Sequence, residues 1–234
     1  MEAYTIEFLS IEWTRNLFII ISFIASFLFI GKFLSSRQNL LVAKTIGFFL
    51  LLVTVISHLG NLESGQWSVK EHLPLHLCSI NGLICICILF IPKNKKLFEF
   101  NFFGGVLGGF VALLTPQIND YDGSILEYSV YYLQHGMIIL IPLYLYYYLN
   151  YKLRPYSWLM TLIFLNILMA ILIPLNSYLG SNYMYVNEPP KVKNPLIIGE
   201  WPIYLFNLEI IIIILFAVTY FLFTKISIFK SKSL

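Results

Sequence analysis

Seven long apolar stretches are the feature that most constrains this chain. Backbone polar groups inside lipid must be hydrogen-bonded within the structure, which only helices and closed barrels achieve. Each stretch is long enough for a membrane-spanning helix and too long for a barrel strand of about ten residues. The sequence therefore predicts one all-α domain, a polytopic bundle of seven transmembrane helices, over 17–34, 40–57, 73–91, 98–115, 129–149, 158–178 and 202–223.

The composition agrees with a multi-pass protein of the cell membrane. Of 234 residues, 59% are hydrophobic and only 12% are charged, which is far too apolar for a soluble domain. The formal net charge of +3 gives no support to a nucleic-acid partner. The three cysteines lie too close together for a spaced disulfide framework, and we interpret them as free thiols.

The basic residues predict the orientation. All but four of the 15 Lys and Arg residues fall in alternate connections of the bundle, as expected for cytoplasmic loops. With seven spans, this places the amino terminus outside and the carboxyl terminus inside. Residues 1–16 are then an interfacial lead-in and 224–234 a basic cytoplasmic tail. The four exceptions are Arg15, Lys70, Lys191 and Lys193.

The segment 71–88, with the sequence EHLPLHLCSINGLICICI, holds all three cysteines and two histidines. Pro74 suits the first turn of a helix, which places Cys78 within about one turn of the helix amino terminus. The partial positive charge there stabilises a thiolate. Cys85 and Cys87 lie deeper in the apolar stretch and are expected to be inert. Cys78 is therefore the candidate nucleophile.

A cysteine nucleophile needs a base within hydrogen-bonding reach. His76 is two residues away, about 200° around an ideal helix, and so points elsewhere unless the turn is irregular. His135 enters from the fifth predicted helix at a similar depth and is the better candidate, with Tyr131 as one possible orienting group. Asn81 shares a helical face with Cys78. It could donate to a developing oxyanion beside the amides of the helix start.

Two further features of the apolar stretches have more than one interpretation. Pairs of glycines four residues apart in 104–109 favour close helix packing over a groove for lipid entry. Glu209 lies in an almost purely apolar run, where an ionisable side chain is costly. It could orient a histidine, contact a lipid headgroup or form a structural hydrogen bond.

Alternatives to catalysis remain open from spacing alone. A cysteine in a membrane helix is often only a packing residue. His72 and His76 have the i, i+4 spacing of a metal-ligand pair, which His58 or His135 could complete as a metal or haem site. A non-catalytic sensor or transporter could also use the polar pocket, although the internal repeat expected of many transporters is not evident.

Three strings resemble a known family: LPLHLCSI opening the third stretch, YYLQHGMI opening the fifth and EWPIYLFNLE entering the last. They resemble the YwaF-type bacterial integral membrane family. That family is similar to animal multi-pass transacylases of ether phospholipids and, more distantly, to androgen-induced hydrolases of fatty acid esters of hydroxy fatty acids. One departure is Ile203 after Trp201 and Pro202, where the family often has a second tryptophan.

The resemblance implies an acyltransferase in which Cys78 accepts the acyl chain, His135 is its partner and His76 belongs to the same motif. The expected donor is a membrane phospholipid, with a site near the outer leaflet. The acceptor could be a lysolipid, a lipoprotein amino group or water, and no cofactor is expected. The candidate contacts for substrate are Asn81, Tyr131, Trp201 and Glu209.

Overall fold

The computed structural model describes residues 3–91, 94–119, 121, 123–192 and 194–231, with side chains up to residue 224. Lys93, Lys193 and most side chains of the predicted basic tail lie outside this description. The described chain is helical apart from one two-residue strand pair, Tyr4–Thr5 (β1) with Gln117–Ile118 (β2). The helices are α1 Ile11–Gly31, α2 Ser36–Glu63, α3 Leu77–Ile88, α4 Lys95–Phe100, α5 Val106–Leu114, α6 Ile125–Tyr148, α7 Ser157–Leu179 and α8 Ile203–Ser231.

A π-helical turn, Asn101–Gly105, joins α4 and α5 into one continuous helical segment. We call this segment, 95–114, the rod. With the rod counted once, the described chain has seven helical segments, one for each predicted apolar stretch. Five of them are long and apolar enough to cross a membrane: α1, α2, the rod, α7 and α8.

Polar caps explain why two helices begin earlier than the apolar pattern suggests. Ser35 and Gln38 form a reciprocal capping box at the start of α2. Ser124 accepts the amide hydrogen of Glu127 at the start of α6. A cap satisfies amides that would otherwise be unpaired. Each helix therefore begins before its apolar stretch, which was predicted to start at residue 40 for α2 and at residue 129 for α6.

The third apolar stretch differs most from its prediction. Instead of a span over 73–91, the chain forms a 12-residue helix, α3. At 1.5 Å per residue it is about 18 Å long, whereas the hydrocarbon core of a bilayer is about 30 Å thick. Pro74 lies in a turn before the helix, not in its first turn. The predicted orientation across the membrane is not tested by this geometry and stays a prediction.

The connections and the amino-terminal strand gather at one end of the bundle. Trp13 donates to the carbonyl of Leu114 at 2.9 Å, and β1 pairs with β2 beside it. The amide of Val192 donates to Gln117 Oε1 at 2.8 Å, which ties the connection after α7 to β2. We call this the Cys78 end. This end contains the connections and the amino-terminal segment that the charge pattern assigns to the outer side.

The central helix of the bundle is α6, which packs against α1, α2, α3 and α5. Six of its side chains are almost completely buried: Met137, Ile138, Leu140, Ile141, Tyr144 and Leu145. It is 24 residues long but is not among the five candidate spans. Because other helices surround it, α6 can carry polar side chains that lipid contact would make costly.

An ion pair between a buried carboxylate and a partly exposed guanidinium fastens the opposite end. Glu99 in the rod is only 3% exposed. Its carboxylate accepts three hydrogen bonds from Arg154, one from the backbone amide at 3.0 Å and two from the guanidinium at 2.8 and 2.6 Å. A buried carboxylate is stable only when it is paired. The rod is therefore fixed to the connection between α6 and α7.

Removing Arg154 should destabilise the fold more than neutralising its partner. Arg154→Ala leaves a charged, unpaired carboxylate, and we expect a loss on the order of 2 kcal/mol. Glu99→Gln should cost less, and the double variant Glu99→Gln/Arg154→Ala should resemble Glu99→Gln. Thermal unfolding in detergent micelles measures these differences. The exposed Glu63→Gln is the matched control, and an unchanged melting temperature for Arg154→Ala would contradict the prediction.

Candidate functional site

Cys78 is the second residue of α3, and His76 is the residue that precedes the helix. The side chain of His76 makes no capping hydrogen bond with the helix. Within the described part of the chain, the amides of Leu77, Cys78 and Ser79 have no acceptor; the first bonded amide is that of Ile80. A helix start with free amides is electropositive, as predicted for the surroundings of Cys78.

The depth of Cys78 follows from the contacts of α3 with α2. The carbonyl of Cys85 packs against Gly47, which brings Cys78 level with Thr54. Gln134 of α6 donates to Thr54 at 3.4 Å, so α6 is at this level beside His135. Thr54 lies nine positions before the end of α2, or about 14 Å from it. The start of α3 is therefore recessed relative to the end of α2, while the predicted location near the outer leaflet stays a prediction.

Two tyrosines interact electrostatically with the Cys78 thiol, Tyr131 from α6 and Tyr185 from the connection after α7. The Tyr131 hydroxyl donates to the carbonyl of Ala112 at 2.8 Å. The Tyr185 hydroxyl accepts from Gln117 Nε2 at 3.3 Å. Burial raises the pKa of Tyr185, which keeps it a neutral hydroxyl. These bonds hold both phenols in place beside the thiol.

His135 is held by the backbone of its own helix. Its Nδ1 lies 2.6 Å from the carbonyl oxygen of Tyr131, and its ring packs on the Tyr131 ring with centroids 4.3 Å apart. A carbonyl oxygen only accepts, so Nδ1 carries the hydrogen and Nε2 of the neutral ring has a free lone pair. His135 thus has the tautomer of a general base.

His76 is held by a different part of the chain. The backbone amide of Met184 donates to its Nδ1 at 3.2 Å. Its ring packs between Tyr183 and Tyr185, at centroid distances of 5.2 and 5.3 Å. His76 precedes the helix, so the angle of about 200° from Cys78 that an ideal helix would give does not apply.

Two tyrosines relate the three predicted catalytic residues to one another. Tyr131 contacts His135, Tyr185 contacts His76, and both interact with Cys78. Tyr131 was a candidate from the sequence. Tyr185 was missed, since it lies in a 3₁₀ turn in a long connection where no periodicity or motif marks it.

Asn81 has a structural environment. Its side-chain amide donates to the carbonyl of Leu77 at 2.8 Å, and its Oδ1 accepts from Asn101 at 3.1 Å. Asn101 in turn accepts from the Cys85 thiol at 3.3 Å. Asn81 and Asn101 are fully buried. This network joins α3 to the π turn of the rod, so Asn81 positions the helix that carries Cys78.

The glycines of the rod allow close packing, as the sequence favoured. A methyl group on Gly104 would lie 2.9 Å from Asn81 Nδ2, and one on Gly105 would lie 2.8 Å from the carbonyl oxygen of Ile138. One on Gly109 would lie 3.1 Å from the carbonyl oxygen of His135. The glycines therefore set the distance of the rod from both α3 and α6.

The other two substrate candidates have partners elsewhere. Glu209 accepts from Asn166 of α7 at 2.7 Å, the structural hydrogen bond that the sequence left open. Trp201 is half exposed and donates to the carbonyl of Val186 at 3.1 Å. Trp201 is thus attached to the connection that carries Tyr185.

The four histidines do not gather as ligands. His58 accepts from Trp67, and His72 accepts from the amide of Ser68, both at 3.2 Å. His72 and His76 both precede α3, so the helical face expected for a ligand pair does not exist. In the ranges that the structure describes, no three His, Cys, Asp or Glu side chains are grouped to hold a metal.

Filling the contact between the rod and α6 should destabilise the site. Gly105→Ala places a methyl group against a backbone carbonyl that cannot move freely, and we expect a loss of about 2 kcal/mol. Gly60→Ala is the matched control: it is also helical and has no atom within 4 Å of the added methyl, so we expect a gain of about 0.5 kcal/mol. Thermal unfolding of both variants tests this. Equal stability of the two would contradict it.

Comparison with known proteins gives one family. Residues 8–220 match the model of the TMEM164 family, whose members are animal multi-pass membrane proteins. No curated protein and no solved structure gives a significant match. The animal side of the predicted resemblance is thus supported at the level of a multi-pass membrane family. No link to the YwaF-type bacterial family is found.

Proposed function

The chain belongs to the TMEM164 family, and from this premise and the geometry around Cys78 we propose that it is a membrane-embedded acyltransferase. It moves a fatty acyl chain from a phospholipid to a lysolipid or lipoprotein acceptor. The acyl chain passes through a thioester on Cys78. No cofactor takes part.

The observation that carries this proposal is the combination of a thiol with a suitably oriented base. Cys78 lies at a helix start with free amides, beside Tyr131. The Tyr131 ring contacts His135, whose Nδ1–H is bound by a carbonyl. A nucleophile, a base and a third group that orients the base are the parts that covalent catalysis requires. Tyr131 supplies that third group with its backbone.

In the first half-reaction, the sulfur of Cys78 attacks the ester carbonyl carbon of the donor lipid. Nε2 of His135 takes the thiol proton. The tetrahedral intermediate then collapses, the bond from carbon to the leaving oxygen breaks, and His135 returns the proton to that oxygen. The products are a lysolipid and the Cys78 thioester. Since the thiol packs against the hydrophobic core, proton transfer during the attack avoids a long-lived buried thiolate.

In the second half-reaction, a hydroxyl or amino group of the acceptor attacks the thioester carbon. His135 takes the acceptor proton, the carbon–sulfur bond breaks, and the sulfur regains a proton from His135. Water in place of the acceptor would give hydrolysis. Exclusion of water from a recessed site favours transfer.

The free amides at the start of α3 supply the electrostatic stabilisation. In both half-reactions negative charge develops on the carbonyl oxygen next to the attacked carbon. The amides of Cys78 and Ser79 have no other acceptor among the described residues. One donor to such an oxyanion contributes about 10²- to 10³-fold in rate. This assigns to the backbone the role that the sequence suggested for Asn81.

Loss of either catalytic side chain should abolish transfer. We expect Cys78→Ala and His135→Ala to lose at least about 10³-fold in transfer from labelled phosphatidylcholine to lysolipid in proteoliposomes. Intact-protein mass spectrometry of the wild type should show one acyl adduct, and peptide mapping should place it on Cys78. Cys87→Ala is the matched control: this exposed thiol lies on the same helix, and its loss should leave transfer unchanged.

Two results would oppose this proposal in different ways. Full transfer by folded Cys78→Ala would remove the covalent mechanism while leaving an acyltransferase. A wild-type protein with neither transfer nor adduct, tested with several phospholipid headgroups, would favour a sensor or transporter that binds lipid in the same pocket.

A further inference from the structure

The two histidines of the site are held in opposite tautomers. The Nδ1 atom of His135 faces a carbonyl oxygen and so carries a hydrogen. The Nδ1 atom of His76 faces the amide hydrogen of Met184 and so carries none. A neutral imidazole has one hydrogen, which on His76 must be at Nε2. His135 thus offers a lone pair at Nε2, and His76 offers a hydrogen there.

This arrangement prevents His76 from acting as a base. Its only basic nitrogen is occupied by the Met184 amide, and its other nitrogen is already protonated. To accept a proton, the ring would have to break its bond to the backbone. The role that the sequence left unassigned is therefore a donor role.

The connection that holds His76 is itself anchored. Met184 and Tyr185 have φ values of 58° and 53°, in the left-handed region that non-glycine residues rarely adopt. Asn176 binds the amide and the carbonyl of Tyr183, at 2.9 and 3.0 Å. The Tyr204 hydroxyl donates to the carbonyl of Tyr185 at 2.5 Å. Helices α7 and α8 thus both fix the turn that directs the Met184 amide at His76.

The position of the ring completes the case. His76 immediately precedes the free amides of α3, and its ring packs on Tyr185, whose phenol interacts with Cys78. Among the described residues, no acceptor binds its Nε2. A donor beside a nucleophile and a helix start lies where an oxyanion forms.

We propose that His76 is a catalytic residue that donates its Nε2 hydrogen to the ester carbonyl oxygen, together with the amides at the start of α3. The negative charge that develops when Cys78 attacks is shared between these donors. This inference rests on the proposed acyl transfer. It divides the chemistry between two neutral histidines, with His135 as the base and His76 as the electrophilic partner.

Three substitutions of His76 separate donation from support of the turn. In His76→Gln the side-chain amide reaches the place of Nε2 and can still donate. In His76→Asn the shorter side chain can accept from Met184 but leaves the place of Nε2 empty. His76→Ala loses both the donor at the place of Nε2 and the acceptor for the Met184 amide. We expect Gln to retain the rate of Cys78 acylation within about 10-fold, and Asn and Ala to lose about 10²- to 10³-fold in kcat with little change in KM.

The other outcomes would each overturn the proposal. Retained activity in His76→Asn, with loss of both activity and melting temperature in His76→Gln, would show that His76 only supports the turn. If the folded Gln, Asn and Ala variants were equally inactive, and their residual activity had a pH profile shifted from that of the wild type, His76 would be a base. An effect on KM alone would show a contact with the phosphate of the lipid.

A second measurement does not depend on activity. Nitrogen NMR of the full chain in micelles, with labelled histidine, should show an Nε2–H tautomer for His76 and an Nδ1–H tautomer for His135, assigned by the loss of signals in His76→Gln and His135→Gln. An Nδ1–H tautomer for His76 would overturn this inference whatever the enzyme does. Correct tautomers in a wild type that forms no thioester would instead refute the proposed function, and the catalytic role of His76 with it.

Discussion

The short length of α3 is the constraint on which the site depends. A helix of about 18 Å cannot cross the bilayer. The packing of α3 on Gly47 of α2 places its amino-terminal end about 14 Å short of the end of α2. The amides of the first three residues of α3 have no acceptor among the described residues, which is costly inside a membrane. The network of Asn81, Asn101 and Cys85 holds the helix there, and the glycines of the rod let it approach closely. The result is an electropositive helix start that is recessed from the end of α2.

The central position of α6 explains how polar groups come close to the start of α3. Helices on several sides shield it from lipid, so it can carry Tyr131, Gln134 and His135 on its buried length. Tyr131 then serves twice: its ring packs on the ring of His135, and its carbonyl fixes the His135 tautomer. Tyr131 therefore fixes both the position of the His135 ring and its tautomer.

The backbone, not a set of acidic side chains, defines the chemistry of both histidines. A carbonyl of α6 selects one tautomer, and an amide of the connection after α7 selects the other. Neither partner changes its own charge with pH, so neither adds a second titrating group to the site. In a low-dielectric environment such partners supply polarity without net charge, and an unpaired charge there would be costly.

The sequence by itself determined the seven helical segments and the placement of Cys78 near a helix start, and it made His135 the candidate partner, a role that stays a prediction. These follow from local signals: apolar length, a proline before a helix and polar residues in apolar runs. Only the tertiary structure decided that α3 starts at Leu77, that Asn81 binds Asn101, and that Tyr185 joins the site. It also set the tautomer of His76 through Met184, 108 positions away. Hydrogen bonds between distant segments depend on how helices pack, and no periodicity in the chain records that packing.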